Sequence, residues 1–249
     1  MTSAHDWAMA PAGWPTVSDD VIAHARQQTL AALADTGERP ATDRLITYYD
    51  PAGDYVGASF SELIPNPWRD VTAEDLHATS LMNVKFGPRA TRRLLSGPER
   101  QWVVSSLRRL PDTTLALADP ATLEAMYDFY MAVKHAVSDP DSRDPNPWVT
   151  ASKLCARKRP ELFPVRDRVV CAYLGILNLS DVRADWQVFR SLVQDADIQR
   201  ALNDLLHTVR ERTATGDPLV VLESSDLRIL DAALWMYARR SGAEVSDEE

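Results

Sequence analysis

The sequence predicts an all-α fold, and three observations carry that reading. Apolar residues recur at spacings of three and four through most of the chain. Proline stands at the first position of several of these segments, as in Pro88, Pro98 and Pro120. Polar residues that cap helices precede others, notably Ser18, Thr72 and Ser225. At 249 residues with 45% hydrophobic and 25% charged side chains, the chain can bury a substantial core.

Residues 1–17 contain Pro11, Gly13 and Pro15 and read as a loose lead-in. Ser18 caps a helix running to Leu33, with Val21, Ile22, Ala25, Leu30 and Leu33 on its apolar side; Gly37 and Pro40 stop it. Leu45 to Tyr49 is ambiguous between helix and strand. Because Asp50-Pro51-Ala52-Gly53-Asp54 is a turn by composition, a small hairpin near 45–57 is expected. Phe60 to Ile64 reads as one helical turn, broken by Pro65-Asn66-Pro67.

The helical reading then becomes continuous. Thr72 and Asp75 resemble a capping box, with Asp in place of Glu, opening a helix to about Val84. Further helices are expected at Pro88–Ser96, Pro98–Leu110 and from Pro120 to Val137. A loop over Ser138–Pro147 follows, then helices near 148–159, 168–178, 183–195, 197–212 and 225–240. The expected architecture is about nine or ten helices over 18–241, as one domain or two packed lobes. An acidic, disordered tail follows over 242–249. Asn-Pro-Trp occurs at 66–68 and 146–148, but no longer period accompanies it.

Several function classes are excluded or disfavoured. The net charge of −9 argues against a protein that coats nucleic acid with a basic surface, while leaving room for a local basic patch. Cys155 and Cys171 are too few for a disulfide framework and fit a reducing compartment. The N-terminus lacks a signal-peptide pattern. The longest apolar run, Val169 to Leu177, falls short of the ~20 residues that span a bilayer, so a cytoplasmic protein without a membrane partner is expected. The five histidines and two cysteines show no metal-ligand spacing, and no nucleotide-binding glycine fingerprint or nucleophile elbow occurs. No metal or cofactor is expected. His77, Cys155, Cys171, Trp186, Trp235 and Tyr237 read as packing residues.

The chemistry-bearing stretch is Trp148 to Tyr173. Between 153 and 168 lie six basic residues, Lys153, Arg157, Lys158, Arg159, Arg166 and Arg168, and two acids. Lys153 and Arg157 share a helical face. Pro160 ends that helix, and Asp167 occupies the N-cap position of the next. One reading makes Asp167 a cap and the basic run a solvated face. The other makes the run a clamp on phosphate, beside a chemically used carboxylate.

Two resemblances extend these readings. Thr72 to Leu81, the stretch from Ser152-Lys153-Leu154 through Arg157-Lys158-Arg159-Pro160 to Pro164 and Asp167, and Leu227 to Met236 together resemble an uncharacterised actinobacterial family with a domain of unknown function. That resemblance covers most of the chain and implies no activity. More remotely, Thr150-Ala151-Ser152 followed by Phe163-Pro164-Val165-Arg166-Asp167-Arg168-Val169 is similar to the core of helix-hairpin-helix DNA glycosylases. The second resemblance, about 25 residues long, implies an all-α protein that binds duplex DNA and flips out a base. Asp167 would stabilise the developing sugar cation and position water. Lys153, Arg157, Lys158, Arg159, Arg166 and Arg168 would contact phosphate, and Trp148, Tyr127 and Tyr130 would be candidates for the base pocket. The sequence departs from that family in two places. No glycine lies between Gly97 and Gly175 to form the phosphate-binding hairpin, and Val149 stands where bifunctional members carry a Schiff-base lysine. A monofunctional base-excision glycosylase is thus the leading expectation. The alternatives are a non-enzymatic module using the same basic face on nucleic acid or an acidic partner, and a helical interaction domain without an anionic ligand.

Overall fold

The computed structural model describes residues 10–139, 146–214 and 220–240. The acidic tail, most of the 1–17 lead-in and the centre of the 138–147 loop lie outside them. The described residues form twelve α-helices, ten of them seven residues or longer, with two short 3₁₀ turns and no strand. No described helix is long and apolar enough to cross a membrane.

The chain divides into two compact units. One is discontinuous, Met1–Gly57 with Arg166–Glu249; the other is Ala58–Val165. The discontinuous unit holds α1 (Asp19–Leu33), α2 (Ala41–Tyr49), α9 (Arg168–Tyr173), α10 (Val182–Gln194), α11 (Ala196–Thr213) and α12 (Asp226–Ala238). Helix α1 packs on α10, α11 and α12, and α2 packs on α11 and α12. The continuous unit holds α3 (Ser59–Glu62), α4 (Ala73–Ser80), α5 (Pro88–Leu95), α6 (Glu99–Arg109), α7 (Pro120–Val137) and α8 (Trp148–Lys158). There α7 is central, contacting α5, α6 and α8, while α4 packs on α8.

Local chemistry explains the helix starts. The Ser18 hydroxyl accepts from Val21 N–H, the Asp119 carboxylate from Thr122 N–H, and the Ser225 hydroxyl from Arg228 N–H. The capping box at α4 is present, with Thr72 N–H donating to Asp75 Oδ2 at 2.9 Å. Two ends come earlier than expected. Helix α4 stops at Ser80, before Asn83 at φ 59°. Helix α9 stops at Tyr173, because Gly175 takes φ 72° close to His24, where a Cβ would lie 2.9 Å from His24 Cδ2.

The expected hairpin near 45–57 is corrected: residues 41–49 are helix α2, and turns follow. Leu45, Tyr48 and Tyr49 are buried at helical spacing. Tyr48 meets Trp235 of α12 edge-on at 6.2 Å between ring centroids. Packing against α12 therefore decides a segment whose local signal was balanced.

At α11, Asp195 accepts from the N–H groups of Asp197 and Ile198 and pairs with Arg26 at 2.7 Å. Partial burial alone would raise its pKa, but the Arg26 guanidinium and these N–H groups outweigh burial and hold it below the ordinary value of 3.8. Asp195→Ala is expected to lower stability by about 0.5–2 kcal/mol at neutral pH. A depressed folded-state pKa stabilises above the unfolded value and is lost as pH falls through the folded one. Urea titrations of both proteins should therefore converge below about pH 4; a gap that persists in acid would contradict this account.

Candidate functional site

Helix α8 carries the basic run inside the protein. Every position from Ala151 to Arg159 is buried. The small side chains Ala151, Ser152, Cys155 and Ala156 let the helix sit close to its neighbours, and the cations among them extend to internal acceptors. Lys153 Nζ donates to the Met82 carbonyl at 2.9 Å. Arg157 is 0% exposed; its Nε donates to Asp75 Oδ1 at 3.1 Å, its Nη1 to the Phe60 carbonyl at 2.6 Å and its Nη2 to the Leu63 carbonyl. Lys158 Nζ donates to Asp75 Oδ2, Asn66 Oδ1 and the Pro67 carbonyl at 2.7, 2.7 and 2.9 Å. Arg159 donates to the carbonyls of Trp68 and Leu107, and its guanidinium lies 4.0 Å from the centre of the Trp68 ring.

These bonds have one structural result. The irregular segment between α3 and α4 contains Pro65 and Pro67, which lack N–H groups, and it forms no ladder. The carbonyls of Leu63, Pro67 and Trp68 in this segment are met by Arg157, Lys158 and Arg159. Asp75 is the anion of the cluster, and all three charged side chains are 0% exposed. Burial pulls the Lys158 ammonium and the Arg157 guanidinium below their ordinary pKa, with Asp75 opposing both shifts. Burial brings Arg159 down to about 10. A solvated basic face is therefore not what this run forms. Four of the cations expected on phosphate already hold protein carbonyls or Asp75, and a phosphate could reach them only by breaking those bonds.

The remaining candidates are placed as follows. Arg166 is buried, its Nε donating to Asp185 Oδ2 at 2.6 Å; burial raises the Asp185 carboxyl above its ordinary pKa while Arg166 opposes the rise. Asp167 is half-buried and caps α9, accepting from Val169 N–H at 3.0 Å. Arg168 is exposed. Trp148 and Tyr127 are half-buried, and Tyr130 is buried in the core of the continuous unit. Arg166, Asp167 and Arg168 belong to the discontinuous unit; Lys153, Arg157, Lys158, Arg159, Trp148, Tyr127 and Tyr130 belong to the other. Cys155 and Cys171 are free and buried, and burial pushes both thiols up. His77 is exposed rather than packed. Among the described residues no group of His, Cys, Asp and Glu is arranged to hold a metal.

A cavity of about 210 Å³ lies beside the cluster, lined by Asn66, Trp68, Asp112, Arg159 and Glu161 among others. Asn66 is engaged on both sides of its amide there: it accepts from Lys158 and donates to the Arg157 carbonyl at 3.2 Å.

Most accessible arginines of the continuous unit lie instead on α5 and α6, with Arg69 before α4. The outward side of α6 carries Arg100, Gln101, Trp102, Ser105, Arg108 and Arg109, with the half-buried Glu99 at its start paired to Arg93 at 3.7 Å. Arg100, Gln101, Val104, Ser105 and Arg108 border a groove of about 450 Å³. Arg100 pairs with Asp70 at 2.5 Å and Arg109 with Asp128 at 2.7 Å; Arg108 Nε donates to the Arg69 carbonyl at 3.3 Å. The Arg109–Asp128 pair is solvent-exposed and hence weak, so Arg109 can exchange partners, whereas Arg100 and Asp70 are half-buried. Arg92 adds an exposed cation from α5.

A family model described as a family of unknown function (DUF6308) matches residues 41–238. The chain belongs to this family. No curated protein matches it, and no solved structure matches it. The DUF6308 match spans α2 through α12, and so includes Asp75, the whole α8 run and the α6 arc.

Sequence reasoning missed the role of Asp75 beyond its capping box. The available signal was the all-round character of α8: Ala, Ser, Leu and Cys on several sides leave no wide polar face, which marks a buried helix. Cations on a buried helix require an internal anion.

Proposed function

We propose that this chain is a DNA-directed binding module that engages the phosphate backbone through the exposed arginines of α5 and α6. The observation that supports it is the set of arginines on the outward side of α6 beside an open groove. The continuous unit carries 14 basic against 13 acidic residues, four of the basic ones buried on or just after α8, and the discontinuous unit carries 13 against 23. A reducing, cytoplasmic setting is part of the proposal, supported by two free buried thiols.

The test is fluorescence anisotropy of labelled DNA across a salt series. Wild type should bind at low salt and weaken steeply as salt rises, because phosphate contacts release counterions. Arg100→Glu/Arg108→Glu should weaken binding by about tenfold or more. Arg200→Glu/Arg210→Glu, an equal charge change on exposed residues of α11, should have a much smaller effect. Absence of wild-type binding at low salt removes the proposal.

Base excision is the narrower version of the same reading. It is supported by the placement of Asp167 at a helix N-terminus, as the glycosylase resemblance implies. Release of a damaged base by wild type, abolished in a folded Asp167→Asn variant, would establish it; no release from a panel of lesions would leave a binding protein.

A further inference from the structure

We infer that the α6 face takes single-stranded nucleic acid in preference to duplex, with Trp102 as the platform for an unstacked base. This inference rests on the DNA-directed reading above and names its substrate class.

Trp102 is 64% exposed, the most exposed described tryptophan, and it lies in the middle of the cationic arc rather than in an apolar patch. Its ring is braced from one side by His135 of α7, with 6.2 Å between ring centroids and 45° between ring planes. Gln101 and Ser105 stand next to it with hydrogen-bonding groups that reach solvent. Arg109 lies two turns further on the same side of the helix, about 10 Å along its axis.

These groups match what a single strand offers. A positively charged track holds the backbone while an aromatic face stacks on a base, and the stacking tolerates any sequence because every base has a π face. In a duplex the bases are already stacked and paired. Its phosphates would meet the arginines, but Trp102 would find no base. Arg109 must leave Asp128 to meet a phosphate, and both side chains of that pair are more than half exposed, so the exchange is inexpensive.

The experiment compares a labelled oligo-dT 20-mer with a hairpin duplex of equal phosphate number, at one low salt concentration. Wild type, Trp102→Ala and Trp102→Phe are used, each checked by circular dichroism for an unchanged helical spectrum. Wild type should bind the single strand more tightly. Trp102→Ala should lose about fivefold or more of single-strand affinity and leave duplex affinity unchanged, while Trp102→Phe should retain most of it. Equal or tighter duplex binding by wild type, or an equal loss for both ligands in Trp102→Ala, would overturn the inference and leave the DNA-directed reading standing. Binding of neither ligand would overturn both.

Discussion

Asp75→Ala is expected to lower stability by about 3–5 kcal/mol, because it strands Arg157 and Lys158 as buried charges without an anion. That is a large share of the roughly 5–15 kcal/mol that holds a typical domain together. The α4 capping box is lost with the same side chain, since Thr72 N–H then has no acceptor. Urea unfolding followed by circular dichroism measures the effect. Limited proteolysis should show new cleavage in the 60–68 segment, whose carbonyls are held by α8. A loss below about 1 kcal/mol would mean that the cluster does not hold this region. An apolar triple replacement, Asp75→Leu with Arg157→Met and Lys158→Met, should recover only part of the stability. Removing all three charges relieves the desolvation penalty. It also strips donors from the carbonyls of Phe60, Leu63 and Pro67, of which Phe60 is buried.

Arg228→Met should have a comparable effect in the discontinuous unit. Arg228 is buried between Glu223 Oε1 at 3.5 Å and Asp231 Oδ2 at 2.7 Å, and Tyr49 donates to Glu223 Oε2 at 2.7 Å. Burial alone would lower the guanidinium pKa, but the two carboxylates outweigh it and raise it. Methionine conserves much of the volume and leaves two buried carboxylates without a cation, so a loss of about 3–5 kcal/mol at pH 7 is expected. The variant should also gain from acid. A protonated carboxyl carries no buried charge, so the folded variant binds protons that its unfolded chain would release, and its deficit shrinks as pH falls. Denaturation at pH 7 and at about pH 5 distinguishes this from simple loss of packing, which would give the same deficit at both.

Much of the fold was legible in the sequence because its signals are local. Ser18, Thr72, Pro88, Asp119-Pro120 and Ser225 each fix a helix start through groups within four residues. What could not be read locally was decided by distant partners. Leu45 to Tyr49 becomes helical against α12, which begins at Asp226. The basic run follows the same rule: Arg157 meets Phe60 and Asp75, residues 97 and 82 positions away. Charge density in a sequence marks where cations are, while their partners depend on tertiary placement. Asp167 was legible as a cap because its capping bond is local, from Val169 N–H two residues on. Trp102 and the α6 arginines carried no motif; their common outward side emerges only once Val103, Val104, Ser106 and Leu107 are seen to be buried.

The discontinuous unit also sets an order of events during synthesis. Helices α1 and α2 leave the ribosome early, yet the helices they pack on, α10, α11 and α12, all lie beyond residue 181. The continuous unit has its complete sequence by Val165, before those partners exist. At ~5–20 residues per second, α2 waits on the order of 10–35 s for α12. The apolar sides of two nascent helices stay uncovered over that interval. The inner unit, though it begins later in the chain, is the first that can finish folding.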